Sequence, residues 1–176
     1  MGEKKVNEKK LIEQAVKGSK EAFCELYGQY KDRLYRYAYY RLGNPSSAED
    51  AVSDCVVSAW QGISALRKPK AFPVWLFRIL NASCAKQLRE MINERDHLEQ
   101  LYNANPRVTP DPSLSVELSE ALDQLETEER EIVLLSVVAG MKSREIASVY
   151  GMTAGSVRSK LSRSLLKMRR YLEIQQ

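Results

Sequence analysis

Histidine is nearly absent: the 176-residue chain has one, His97. That leaves little room for imidazole-based metal binding or acid–base chemistry. Cysteine is scarce as well. Cys24, Cys55 and Cys84 are an odd number at wide spacing, with no Cys-x-x-Cys, which fits a reducing cytoplasm. All three sit among apolar residues, so buried free thiols are expected. Glycine and proline are few, at 8 and 6, which excludes a collagen-like or loop-dominated chain. No run of ~18 apolar residues occurs, so no membrane span is expected. The opening MGEKKVNEKK has charge but no apolar stretch behind it, so no secretory signal is expected either. Apolar content of 44% and charged content of 28% are ordinary for a globular protein.

The net charge of +4 conceals strong segregation. From Gly43 to Ala59 there are three acidic residues and no basic ones. From Ser64 to Ile92 six basic residues face one acidic, a net +5. From Leu114 to Glu131 seven acidic residues face one basic, and from Lys142 to Tyr171 eight basic face one acidic. Alternating blocks of this kind point to surfaces for different partners, with polyanions at the basic ones.

The apolar pattern predicts an all-α protein of two small helical domains. The N-terminal domain is 1–92, a linker covers 93–113, and the C-terminal domain is 114–176. The linker carries Pro106, Pro110 and Pro112, so Asn105 to Pro112 should be extended. From Leu11 to Ala38 apolar residues recur mostly at three- and four-residue steps until Asn44-Pro45 interrupts. Ser46-x-x-Glu49 reads as a capping box opening the next helix, whose stripe is Val52, Cys55, Val56, Ala59, Trp60 and Ile63. Pro73 suits the first turn of a third helix carrying Trp75, Leu76, Ile79, Leu80, Ser83, Leu88 and Ile92. Beyond the linker, Val116 to Leu125 is amphipathic. Thr127, Ser143 and Thr153 then read as N-caps of three further helices, with Gly140 and Gly151 as stops.

Ser143 to Met168 has the mechanics of a helix-turn-helix. Ala147 lets the second helix cross close to the first, Gly151 supplies a positive φ, and Val157 wedges between them. Val157, Leu161, Leu165, Met168 and Leu172 form the buried stripe. The opposite face offers Ser156, Arg158, Ser159, Lys160, Ser162 and Arg163. Short hydroxyls beside cations suit contact with base edges and phosphates. The same face would also serve as a solvated flank of a helical hairpin.

Asp50 and Asp54 lie four apart on one helix face, with Glu49 adjacent. They sit on the wet side, away from the apolar stripe. A docking surface for a basic partner, a solvated face and acid–base catalysis are the three readings, the last disfavoured by the lack of anything to tune the carboxylates. The next stretch interleaves Arg67, Lys68, Lys70, Arg78 and Lys86 with Phe72, Trp75 and Phe77. Unpaired bases stack on aromatics while cations hold phosphates, although aromatics at helical spacing also build cores. His97 reads as an ordinary surface residue.

In order and spacing, these blocks resemble an extracytoplasmic-function (group 4) sigma factor of bacterial RNA polymerase, in the sigma-70 family. EAFCELYGQYKDRLYRYAYYRL is similar to the opening region-2 helix, AEDAVSDCVVSAW to the polymerase-binding helix, and FPVWLFRI to the promoter −10 helix. The segment from Leu122 to Leu172 resembles region 4. The resemblance implies a region-2 bundle and a region-4 helix-turn-helix on a flexible linker. It implies that Glu49, Asp50 and Asp54 meet the clamp helices of the polymerase β′ subunit. Arg67, Lys68, Lys70, Trp75, Arg78 and Lys86 would hold −10 DNA, a base of which is flipped out. Ser156, Arg158, Ser159, Lys160, Ser162 and Arg163 would read the −35 element, and the C-terminal domain would touch the β flap. It further implies a cytoplasmic, non-enzymatic transcription factor without cofactor or metal, held inactive by an anti-sigma factor that is often membrane-anchored. Lys160 stands where Arg is common, and Ala82 and Lys86 where Asn and Asp are frequent, so the sequences read need not be the family's usual ones. The competing reading is a stand-alone helix-turn-helix regulator, which would need neither the acidic helix nor the basic aromatic one.

Overall fold

The computed structural model describes residues 2–101 and 116–174, and no strand occurs among them. Four helices form the N-terminal bundle: α1 (Gly2–Val16), α2 (Lys20–Leu42), α3 (Pro45–Gly62) and α4 (Phe72–Leu101). Two 3₁₀ turns, Ile63–Ala65 and Pro69–Ala71, join α3 to α4. The C-terminal module holds α5 (Val116–Asp123), α6 (Thr127–Val133), α7 (Ser143–Tyr150) and α8 (Ala154–Ile174). A π turn, Leu134–Val138, continues α6.

The long N-terminal periodicity is two helices. Gly18 takes φ 97° and Ser19 caps α2, its hydroxyl accepting from Ala22 N at 3.2 Å. The cap of α3 is Asn44, whose side-chain oxygen accepts from Ser47 N at 3.0 Å, with Pro45 in the first turn. Ser46 therefore lies inside the helix: Asn-Pro is the stronger start signal, because proline is preorganised for the first helical position. Two other expected caps are also displaced by one residue. Glu126 rather than Thr127 precedes α6, and Lys142 rather than Ser143 precedes α7. In both, the glutamate three positions on reaches back to the cap amide: Glu129 to Glu126 N at 3.3 Å and Glu145 to Lys142 N at 2.6 Å. Thr153 does cap α8, accepting from Ser156 N at 3.1 Å.

Small residues let α3 lie close to its neighbours. Ala48, Ala51, Cys55 and Ala59 are fully buried, and Cys55 Sγ sits 3.8 Å from the Leu76 carbonyl. Phe72 and Phe77, two of the three aromatics in the basic stretch, are core residues. They pack edge-on against Tyr30 and Tyr37 at 5.5 and 5.7 Å between centroids. Leu76, Leu80 and Ser83 are buried beside them, whereas Leu88 and Ile92 are exposed. Helix α4 runs past Asn93, the expected domain edge, to Leu101. Residues 102–115, with Pro106, Pro110 and Pro112, lie outside the described residues.

Cys24 departs from expectation: it is exposed, because α2 turns its Phe23 and Leu26 inward instead. Burial pushes the Cys55 and Cys84 thiols up to about 12, so neither forms the reactive thiolate near neutrality. A thiol reagent at mildly alkaline pH is therefore expected to label Cys24 alone in the native chain, and all three cysteines after denaturation. Mass spectrometry of the labelled peptides checks this; rapid native labelling at Cys55 would contradict the burial of α3.

Candidate nucleic-acid interface

The helix-turn-helix is built as its sequence demands. Gly151 adopts φ 65° and closes α7 through its amide to the Ala147 carbonyl. Val157 is 0% exposed. It anchors α8 against the buried Ile146 and Ala147 of α7 and Ile132 of α6 in one core. Met168 is also buried, but Leu165 is exposed and the neighbouring Ser164 takes the inward position. Ser164 is tolerated there because its hydroxyl donates to the Lys160 carbonyl at 2.9 Å.

The outer face of α8 carries Ser156, Arg158, Ser159, Ser162 and Arg163, all exposed. Arg163 Nε donates to the Ser159 carbonyl at 3.3 Å, which holds the guanidinium along the helix. Lys160 is different. Half-buried, its ammonium lies 3.0 Å from a Glu128 carboxylate oxygen on α6. Farther along, Lys167 pairs with Glu129 at 2.8 Å, and that hydrogen bond holds the Glu129 carboxyl below its ordinary range. Part of the basic block thus braces the module, while Arg158 and Arg163 remain on its surface.

A second concave surface runs between α3 and α4. It is a groove of ≈ 690 Å³ lined by Asp54, Val57, Ser58, Trp75, Arg78, Ile79, Ala82, Ser83 and Lys86. Three of the six residues expected at −10 DNA meet here: Trp75, Arg78 and Lys86. The other three do not. Lys70 lines a separate hollow with Tyr30, Arg33 and Met141, and Arg67 and Lys68 are on the preceding loop, outside the groove. Val57, 56% exposed, is a large apolar side chain facing this space that the sequence reading passed over. Its place just outside the α3 stripe was the available signal.

Glu49 and Asp50 are exposed on α3. Asp54 is on the same side but is engaged, its carboxylate 2.9 Å from Lys86 Nζ. That hydrogen bond, reinforced by the charge of Asp54 and Glu90, raises the Lys86 pKa. The acidic face and the groove therefore share an edge. Among the described residues, no three His, Cys, Asp or Glu side chains group as a metal ion requires. No helix among them is long and apolar enough to cross a membrane.

The comparisons with known proteins follow the same division. Residues 26–91 match Sigma-70 region 2, and residues 115–168 match Sigma-70, region 4. The chain is 30% identical over 173 residues to the extracytoplasmic-function RNA polymerase sigma factor BldN of Streptomyces coelicolor. The chain belongs to the extracytoplasmic-function branch of the sigma-70 family. The BldN match covers 92% of this sigma-family chain and 64% of BldN, so the chain spans less than two thirds of that relative. The fold agrees with two solved complexes. CnrH bound to the cytosolic domain of CnrY superposes with a TM-score of 0.73 at 24% identity, covering 97% of this chain and 99% of that one. The sigma factor RpoE of Bartonella quintana, bound to the anti-sigma factor NepR, gives 0.70 at 22%, covering 88% and 98%.

Proposed function

We infer that this chain is a promoter-specificity subunit that joins core RNA polymerase in the cytoplasm and directs it to start sites, with no catalysis of its own. The observation that carries this reading is the groove between α3 and α4. An apolar wall of Val57, Ile79 and the half-buried Trp75 faces Arg78 and Lys86. Unstacked bases of a melted −10 strand fit such a wall, with phosphates on the cations. A stand-alone regulator that reads duplex DNA has no use for it. Glu49 and Asp50, beside the groove on α3, supply a negative face for basic clamp helices of β′. The outer face of α8 would enter the −35 major groove, and the C-terminal module would also touch the β flap. An anti-sigma factor is the expected inhibitor, as NepR is named for RpoE.

The test is run-off transcription with purified core enzyme on a promoter library. Promoter-selective transcripts that require both core and this chain are expected. Tight, specific duplex binding by the chain alone, with no effect on core, would favour the regulator instead. The same assay sorts α8. Arg158→Ala or Arg163→Ala should cost ~1–3 kcal/mol at particular −35 positions if the residue reads a base. An even loss across all promoters would assign that residue to the phosphates.

A further inference from the structure

A buried polar cluster joins the two modules and belongs to neither DNA-facing surface. Glu131, on α6, is 6% exposed. A carboxylate so placed needs partners, since an unpaired buried charge is strongly unfavourable. It has three. Tyr150 on α7 donates to it at 2.8 Å. The other two come from α2 in the N-terminal bundle, where Tyr37 donates at 2.9 Å and Arg41 Nε pairs at 2.8 Å.

Further contacts surround this centre. The Arg130 guanidinium donates to the Tyr40 carbonyl, and the Arg41 guanidinium also reaches the Asn81 side chain. Most telling is Arg78. This groove cation donates to the Ser148 carbonyl on α7 at 2.5 Å. The helix-turn-helix module thus occupies a residue assigned to the −10 strand.

Distance makes the same point. A compact chain of this length has a radius of gyration of ~16 Å and spans ~40 Å. Promoter elements centred about 25 base pairs apart lie ~85 Å apart along the duplex. The closed chain cannot sit on both at once.

We propose that Glu131 is the latch of a self-inhibited closed state, and that the modules must separate at this carboxylate before both promoter elements can be engaged. The proposal rests on the promoter-specificity reading for its consequence, but the latch itself is tested without it. Separation at the Glu131–Arg41 pair lets water solvate both freed charges, which offsets part of the cost of exposing the apolar side chains that the two modules also share in one core. Contacts between domains of one chain commonly resemble transient interfaces, which suits a separation of this kind.

The experiment uses the full chain with dyes on the exposed Cys24 and on a cysteine introduced by Gln124→Cys. Without core or DNA, energy transfer should report one short-distance population. Glu131→Ala should raise the open-to-closed ratio ~100-fold, as removing one member of a buried ion pair does. Tyr37→Phe with Tyr150→Phe, which keeps both rings, should shift it in the same direction, guarding against simple misfolding of the alanine variant. Exchanging the charges (Arg41→Glu with Glu131→Arg) should recover closure relative to either single change. Unchanged distances in all three tests, or a wild-type chain already open, would overturn the latch. Opening without increased initiation at subsaturating chain would overturn the inhibitory role alone. Failure of every form to bind core would instead remove the promoter-specificity reading while the distance data stand.

Discussion

Val157→Asp is expected to unfold the C-terminal module and leave the N-terminal bundle standing. Val157 is wholly inaccessible at the crossing of α7 and α8. Burying valine contributes ~1.5–3 kcal/mol, and an unpaired carboxylate in its place adds several more against folding. A helical unit of this size has a total stability of only ~3–9 kcal/mol, so the change removes most or all of it. Far-UV circular dichroism should lose the share contributed by α5 to α8. Thermal melting should retain the transition of the α1–α4 bundle. Binding to −35 duplex should disappear with the module. Val157→Thr keeps the shape and replaces one methyl with a hydroxyl, so it should cost ~1–3 kcal/mol and lower the melting temperature without abolishing the fold. Unaltered helicity in Val157→Asp would mean that this residue is no wedge.

That wedge was readable in the sequence because its physics is local. Ala147, Gly151 and Val157 act within eleven residues, each through size or backbone freedom. The α3 stripe and the Pro73 start of α4 were legible for the same reason. Cap positions shifted by one or two residues because Asn44, Glu126 and Lys142 competed with nearby hydroxyls, and local pattern ranks such neighbours poorly. The π turn was invisible. Its Ala139 amide reaches the Leu134 carbonyl at 3.0 Å, one residue beyond helical register, so apolar periodicity slips there. Longer-range chemistry was out of reach altogether. Glu131 sits in an acidic run that reads as solvated, yet two of its partners are about ninety residues away on α2. The groove was half-legible: Trp75, Arg78 and Lys86 were found, while Val57, Ser58 and Ser83 became site residues only when α3 packed on α4. The charge of Lys86 was visible, but its commitment to Asp54 was not.

That pairing changes what charge reversal on α3 should do. Asp50→Arg with Asp54→Arg is expected to weaken binding to core polymerase by ~100-fold or more, since like charges placed across a complementary interface cost several kcal/mol. The two substitutions act differently. Asp50 is exposed on the outer edge of α3, so Asp50→Arg should alter docking alone. Asp54 also neutralises Lys86 at 2.9 Å on the rim of the groove. Asp54→Arg replaces that neutralising carboxylate with a second positive charge beside Lys86. It should therefore also tighten non-specific binding of single-stranded DNA and steepen its salt dependence. Both side chains lie on the solvent side of α3, so helicity and melting should change little. Pull-down and fluorescence titration against core measure the first effect, and a salt series with a −10 oligonucleotide measures the second. If core affinity survives the double reversal, the acidic face is not where polymerase docks. If Asp50→Arg alone carries the loss while Asp54→Arg moves only the DNA slope, then polymerase reads the outer edge of α3, and its inner edge belongs to the groove.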